Sequence, residues 1–218
     1  MKIISWNIRR TNGPQKKRLL RQKIIKENPT ILILQESKCS EEALKERMKK
    51  IWRNSKTVAI DALGTAGGLA IIWDPSKVSL HNFRKTPWSI TAEFHNIDTD
   101  IIGIITGLYS PSMPMDKEIF LDSLLNITDT TRGKHWIVGG DFNMITNLME
   151  KRGGTRHLDA HAIRFVELIH QVKGVDVKTS NGFFTWNNKR TGSSRVASKL
   201  DRFLLSESIV LTGGTYEA

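Results

Sequence analysis

Apolar positions fall into two patterns along the chain. Short continuous runs, Ile31-Leu32-Ile33-Leu34 and Trp136-Ile137-Val138, predict strands buried on both faces. Further strands are expected at 2–6, 67–73 and 101–108. Helical spacing predicts a helix over 16–27 through Leu19, Leu20, Ile24 and Ile25, with Lys and Arg on the other face and Pro29 ending it. The same spacing marks 116–127 through Ile119, Phe120, Leu124 and Ile127, and 159–172 through Ile163, Val166 and Ile169. Ser40 is placed to cap a helix over 41–51, with Ala43, Leu44 and Met48 on one side. Segments 183–186 and 199–205 read as a closing pair of strands joined by a Lys/Arg/Gly-rich loop. Strands and helices alternate irregularly, which predicts an α/β class with mixed sheets. No linker or composition break is visible, so one domain over 1–218 is expected.

Composition narrows the partners. Thirty-three Lys and Arg face 22 Asp and Glu, a net charge of +11 on 218 residues. Such a balance draws polyanions, nucleic acid first and an acidic membrane surface second. Hydrophobic residues at 39% exclude a disordered tail. The one cysteine, Cys39, excludes an internal disulfide and fits a reducing, intracellular setting, where it reads as structural. No apolar run nears the ~18 residues that would span a bilayer, and the first residues lack a signal-peptide core.

The candidate chemistry sits where apolar strands end. Asn7 follows Ile3 to Trp6, Glu36 follows Ile31 to Leu34, and Tyr109 follows Ile104 to Leu108. Asp141 and Asn143 follow Trp136 to Gly140, and Asp201 follows Ser198-Lys199-Leu200. Strand ends in α/β folds hold side chains rigidly yet open to a ligand. Asp, Glu and Asn are hard oxygen donors suited to Mg²⁺ or Mn²⁺. A zinc site is not expected. His157 and His161 stand four apart but lack a zincin's Glu, and they read as solvent-facing. Gly139-Gly140 fits either close approach of a phosphate or a tight turn. Trp186, followed by Lys189, Arg190 and Arg195 around Gly192, fits either a phosphate-contacting, groove-inserting loop or a mobile polar hairpin. Trp73 and Trp136 read as core, and Lys16-Lys17-Arg18 as a solvated helix face.

Five motifs in order carry a family resemblance. Ser5-Trp6-Asn7, Leu34-Gln35-Glu36-Ser37, Leu108-Tyr109-Ser110-Pro111, Gly140-Asp141-Phe142-Asn143 and Ser198-Lys199-Leu200-Asp201 resemble the endonuclease/exonuclease/phosphatase superfamily across nearly the whole chain. Gly67-Gly68-Leu69-Ala70, Glu150-Lys151-Arg152-Gly153-Gly154 and Phe184-Thr185-Trp186 resemble the endonuclease domain of plant LINE-type non-LTR retrotransposons. The resemblance implies a four-layered α/β sandwich, two mixed sheets flanked by helices. It implies phosphoester hydrolysis with a divalent metal, usually Mg²⁺. Glu36 would then be a metal ligand with Asn7 beside it, Asp141 would prepare the attacking water, and Asn143 and Tyr109 would hold the phosphate. Such roles suit charge neutralisation by a metal next to a carboxylate base.

Members of the superfamily also carry a Ser-Asp-His segment some tens of residues beyond the strand of Asp201, whose role is to orient that His. No histidine follows His170 here, so the expectation is a C-terminally truncated domain of weak or absent turnover, with Ser208 to Leu211 beginning a segment that packs poorly. Three functions follow: a Mg²⁺-dependent DNA-nicking endonuclease, a non-catalytic nucleic-acid-binding relic of it, or a phosphatase or phospholipase of the same superfamily. DNA is the expected partner, with no membrane and no obligate protein partner. A nuclear location suits a DNA-acting domain.

Overall fold

The computed structural model describes all residues except 10, 12, 65, 156, 180, 181 and 213–218. It divides into two compact units, Met1–Tyr109 and Ser110–Ala218.

The first unit is built on strands β1 (Ile3–Asn7), β2 (Ile31–Gln35), β3 (Lys56–Leu63) and β4 (Ala66–Trp73), in the order β1-β2-β4-β3. β1 and β2 are parallel, while β4 is antiparallel to both β2 and β3. The parallel pair needs a crossover, and helix α1 (Pro14–Glu27) supplies it. Helix α2 (Glu41–Ile51) follows, its first turn capped as expected when Ser40 Oγ accepts from Ala43 N at 3.3 Å. Leu32 and Leu34 of β2 pack with Leu20, Ile24, Leu44 and Met48 of the helices. Ile33 turns the other way, toward a second sheet, because side chains alternate along a strand. That sheet is an antiparallel meander of β5 (Val78–Lys85), β6 (Ser89–Asn96) and β7 (Ile101–Tyr109). The contact is close: a Cβ on Gly107 would lie 3.0 Å from Ile33 and 3.2 Å from Ile71.

In the second unit β8 (Trp136–Asp141) pairs antiparallel with β13 (Asp201–Ser206), which pairs antiparallel with β10 (Gly174–Asp176). Helices α3 (Pro114–Thr131) and α4 (Ala160–Gln171) cover these strands. Leu124 and Leu168 meet Trp136, Val138 and Leu204 there around a void of only about 10 Å³. A small antiparallel sheet runs β11 (Trp186–Asn187), β12 (Ala197–Ser198), β9 (Lys151–Arg152). Helix α5 (Glu207–Val210) buries Ile209, so 208–211 does pack in part, although Leu211 stays exposed.

The class is therefore α/β with a mixed sheet and flanking helices, as the pattern predicts. Several details differ. Segments 183–186 and 199–205 do not pair: Trp186 and Asn187 bond to 197–198, and β13 joins β8 instead. Asp201 opens its strand rather than closing one, since Lys199 and Leu200 lie outside any strand. The buried stripe of α4 is Ala162, Phe165 and Leu168, and Ile163 is exposed. Ile119 of α3 and Leu19 and Ile25 of α1 are likewise exposed. Gly139 and Gly140 lie inside β8, not in a turn. A Cβ on Gly139 would sit 2.2 Å from the ring of Phe203, its cross-strand partner, so this glycine serves packing. His157 precedes α4, and His161 is half-buried beside Glu118 at 3.5 Å. Trp73 and Trp136 are core, as expected.

Candidate active site

In the first unit three strand ends meet at one carboxylate. Glu36 stands just past β2 with φ 53°, in the left-handed region. Its Oε1 accepts from Nδ2 of Asn7, the last residue of β1, at 3.0 Å, and from the hydroxyl of Tyr109, the last residue of β7, at 3.2 Å. Parallel pairing explains the first contact, because it aligns the C-terminal ends of β1 and β2. The other oxygen, Oε2, has Lys38 Nζ at 3.7 Å, an ion pair too long for a hydrogen bond. The turn that carries Glu36 rests on β4: Ser37 N donates to Gly68 O and Lys38 N to Gly67 O, both at 3.2 Å. Gly68 must be glycine here. Its φ is 89°, and a Cβ would lie 2.3 Å from Ser37 Oγ. Thr11 fixes the same turn from the other side, donating through N and Oγ1 to Ser37 O at 3.1 and 2.9 Å.

In the second unit Asp141 ends β8, and Asp201 is its partner across the antiparallel ladder. An antiparallel pair brings the start of one strand to the end of the other, which is why Asp201 joins this group from the opposite end of its strand. Asp141 Oδ1 accepts from Asn143 N at 3.0 Å. Asn143 takes φ 50°, and its carbonyl accepts from Lys117 Nζ at 3.1 Å. Thr185 Oγ1 accepts from the backbone N–H of both Leu200 and Asp201 at 3.0 Å. Burial, and then the charge of Asp141, push the Asp201 carboxyl up to about 7.

Sequence reasoning missed one set of residues beside this group. Arg202 is buried, and its guanidinium meets both oxygens of Glu150, at 3.1 and 2.9 Å. The signal was present: an Arg opening the apolar run Phe203-Leu204-Leu205 demands a buried partner. The partner, 52 positions away, could not be named.

The basic loop is a hairpin built around Asn188. Asn188 Oδ1 accepts from Val196 N at 3.1 Å and Arg190 N at 3.2 Å, while Nδ2 donates to Ser194 O at 2.8 Å. Lys189, Arg190 and Arg195 are exposed along it, and Trp186 is half-buried at its base. Gly153 fits beneath, where a Cβ would strike Arg195 O at 2.0 Å. Cys39 is free, half-buried, with Thr11 Oγ1 3.5 Å from its sulfur. Among the described residues no three His, Cys, Asp or Glu gather as a metal-binding group, and no helix is long and apolar enough to cross a membrane.

Oxygen-donor side chains thus stand at strand ends of an α/β fold in each unit. The chain belongs to the Endonuclease/Exonuclease/phosphatase family, whose pattern matches residues 4–215. No curated protein matches it in sequence. Among solved structures it resembles the endonuclease domain of TRAS1, a telomere-specific non-LTR retrotransposon (TM-score 0.71, 15% identity, covering 96% of this chain and 86% of that one). It also resembles a 3′ phosphatase from Neisseria bound to product DNA hairpin (TM-score 0.72, 17% identity, 97% and 88%). A third is the mannosyl-6-phosphatase of Bacteroides thetaiotaomicron (TM-score 0.68, 16% identity, 95% and 86%). At these identities the likeness is one of fold.

Proposed function

We propose that the chain is a Mg²⁺-dependent phosphodiesterase that nicks DNA, in the manner of a retrotransposon endonuclease domain. The observation that supports this best is Glu36, a half-exposed carboxylate fixed by Asn7 and Tyr109, with its second oxygen held only at ion-pair distance from Lys38. Glu36 and Asn7 would hold the metal. The donors are oxygen only, with one carboxylate, which fits an ion that keeps most of its waters. Bound there, it would neutralise charge on the phosphate and on the leaving oxygen.

The remaining steps belong to the chain. Asp141 orients the attacking water and accepts its proton; the Asn143 N–H on Oδ1 holds that carboxylate in place. Asn143 would donate to the phosphate oxygens, and Tyr109 would do so by turning its one hydroxyl proton from Glu36 to the phosphate. Below about pH 7 Asp201 keeps its proton, so that its pair with Asp141 does not carry two charges there.

Charge placement favours a polyanionic substrate. Residues 1–109 hold nineteen Lys and Arg against ten Asp and Glu, while 110–218 hold fourteen against twelve. The hairpin residues Trp186, Lys189, Arg190 and Arg195 would add contacts to DNA.

The test is nicking of supercoiled plasmid with Mg²⁺ or Mn²⁺, with EDTA, and by Asp141→Ala. Nicking that needs metal and falls about 10²- to 10⁴-fold in the variant is expected. Nicking untouched by the substitution would overturn the reading. Phosphate release from small phosphomonoesters without nicking would favour a phosphatase. Salt-sensitive DNA binding without cleavage would favour the binding relic.

A further inference from the structure

Three buried charges, Arg202, Glu150 and Lys199, meet a partly exposed fourth, Asp176, in the second unit. Arg202 and Glu150 have side chains 0% and 4% exposed, and Lys199 and Asp176 complete the group. Arg202 Nη1 donates to Glu150 Oε1 at 3.1 Å and to Asp176 Oδ2 at 2.6 Å. Nη2 donates to Glu150 Oε2 at 2.9 Å and to the carbonyls of Met144 and Lys199 at 3.1 and 3.3 Å. Lys199 Nζ donates to Asp176 Oδ2 at 3.0 Å. Stability alone does not ask for such a group, because well-packed apolar residues often do as well in its place.

What the group does hold is a loop. Residues 142–150 leave β8 after Asp141 and carry Asn143. Arg202 grips the carbonyl of Met144, the residue after Asn143. Glu150 Oε2 accepts from Thr146 N at 2.6 Å, and the Glu150 carbonyl accepts from Lys199 N at 2.9 Å. The Asp141 and Lys117 contacts fix the near side of Asn143, and the Arg202–Glu150 pair fixes the far side. Arg202 also follows Asp201 directly, on the opposite face of β13. Its carbon Cζ lies 5.6 Å from the Phe165 ring, which in turn packs on Phe142 with centroids 5.0 Å apart.

We propose that Arg202 and Glu150 are positioning residues, which clamp the 142–150 loop and so aim Asn143 and Asp201; this rests on the roles given to those two residues above. Asp176 bonds the same guanidinium but, among the described residues, makes no hydrogen bond or ion pair with the loop, which makes it the internal control.

Glu150→Gln and Asp176→Asn each remove one negative charge from the group. Three measurements separate them in the full chain: single-turnover nicking, Kd for the same DNA, and hydrogen exchange of the Asn143, Met144 and Thr146 amides. Glu150→Gln is expected to slow nicking roughly 10- to 100-fold, since small misplacements of reacting groups cost that much, with Kd changed less than about twofold. Its loop amides exchange faster. Asp176→Asn is expected to lower thermal stability but to keep nicking and loop exchange near wild type. Equal effects of the two variants, or a Glu150→Gln chain with wild-type nicking and wild-type loop exchange, would overturn the proposal. Should the wild-type chain not nick, the nuclease reading fails on its own, and the clamp is judged by loop exchange: faster in Glu150→Gln alone supports it, unchanged refutes it. Arg202→Lys keeps the charge but loses the fork, and supplies the same comparison if Glu150→Gln does not fold.

Discussion

Asp201 faces Asp141 across one rung of a ladder, and the rung sets its proton. An exposed or unfolded Asp titrates near 3.9, whereas this one is pushed to about 7 by burial and then by its neighbour's charge. Between those values the unfolded chain has released a proton that the folded chain keeps. Rising pH therefore favours unfolding across that window, and stability falls from about pH 4 to about pH 7. Asp201→Asn cannot titrate. It is expected to match wild type near pH 4 and to exceed it above pH 7 by up to roughly 4 kcal/mol. Urea unfolding of both chains at pH 4.5 and pH 8 checks this; an equal difference at the two pH values would refute it.

At the scale of elements, α1 and α2 obey opposite electrostatics. Helix α2 begins with Glu41 and Glu42 and ends with Lys49 and Lys50, as its dipole prefers. Helix α1 has no acid in its first turn, which instead carries Lys16 and Lys17, with Arg18 following. Cations there cost about 0.3–1 kcal/mol each, which a bound phosphate backbone would reverse. Lys16→Glu with Lys17→Glu is expected to stabilise the free chain by about 1 kcal/mol while weakening DNA binding at least tenfold at low salt. Urea melts and Kd measured on the same variant would show the two effects moving in opposite directions.

Elements also differed in how well the sequence announced them. β2 and β8 were legible because strands buried on both faces need unbroken apolar runs. Helices were legible as helices, but not always by face. In α4 the stripe through Phe165 and Leu168 lies beside one through Ile163 and Val166, and either satisfies a 3.6 period. Strands β3, β5 and β6 escaped notice because polar residues such as His81, Asn82 and Glu93 interrupt their apolar positions. The strand-end residues Asn7, Glu36 and Asp141 stood out because an apolar run stops at each. Glu150 and Arg202 could not be paired, since only the fold joins two sites so far apart in the chain.

For the molecule as a whole, most of the +11 charge lies in residues 1–109, so the hairpin is a minor part of the electrostatic account. Replacing Lys189, Arg190 and Arg195 together by Ala should reduce the slope of log K against log salt by about 2–3, near 0.9 for each phosphate that is no longer neutralised. Binding at low salt should persist. A slope unchanged by the triple substitution would exclude the hairpin from the DNA interface. The buried group of Arg202, Lys199, Glu150 and Asp176 has a thermal consequence. Hydration of charges grows less favourable as water warms, so the desolvation cost of Arg202, Lys199 and Glu150, and in part of Asp176, weakens on heating. An apolar replacement that gained stability at 25 °C would lose that advantage near the melting temperature. The ions are best suited to the warm end of the stability curve, where the fold is closest to failing.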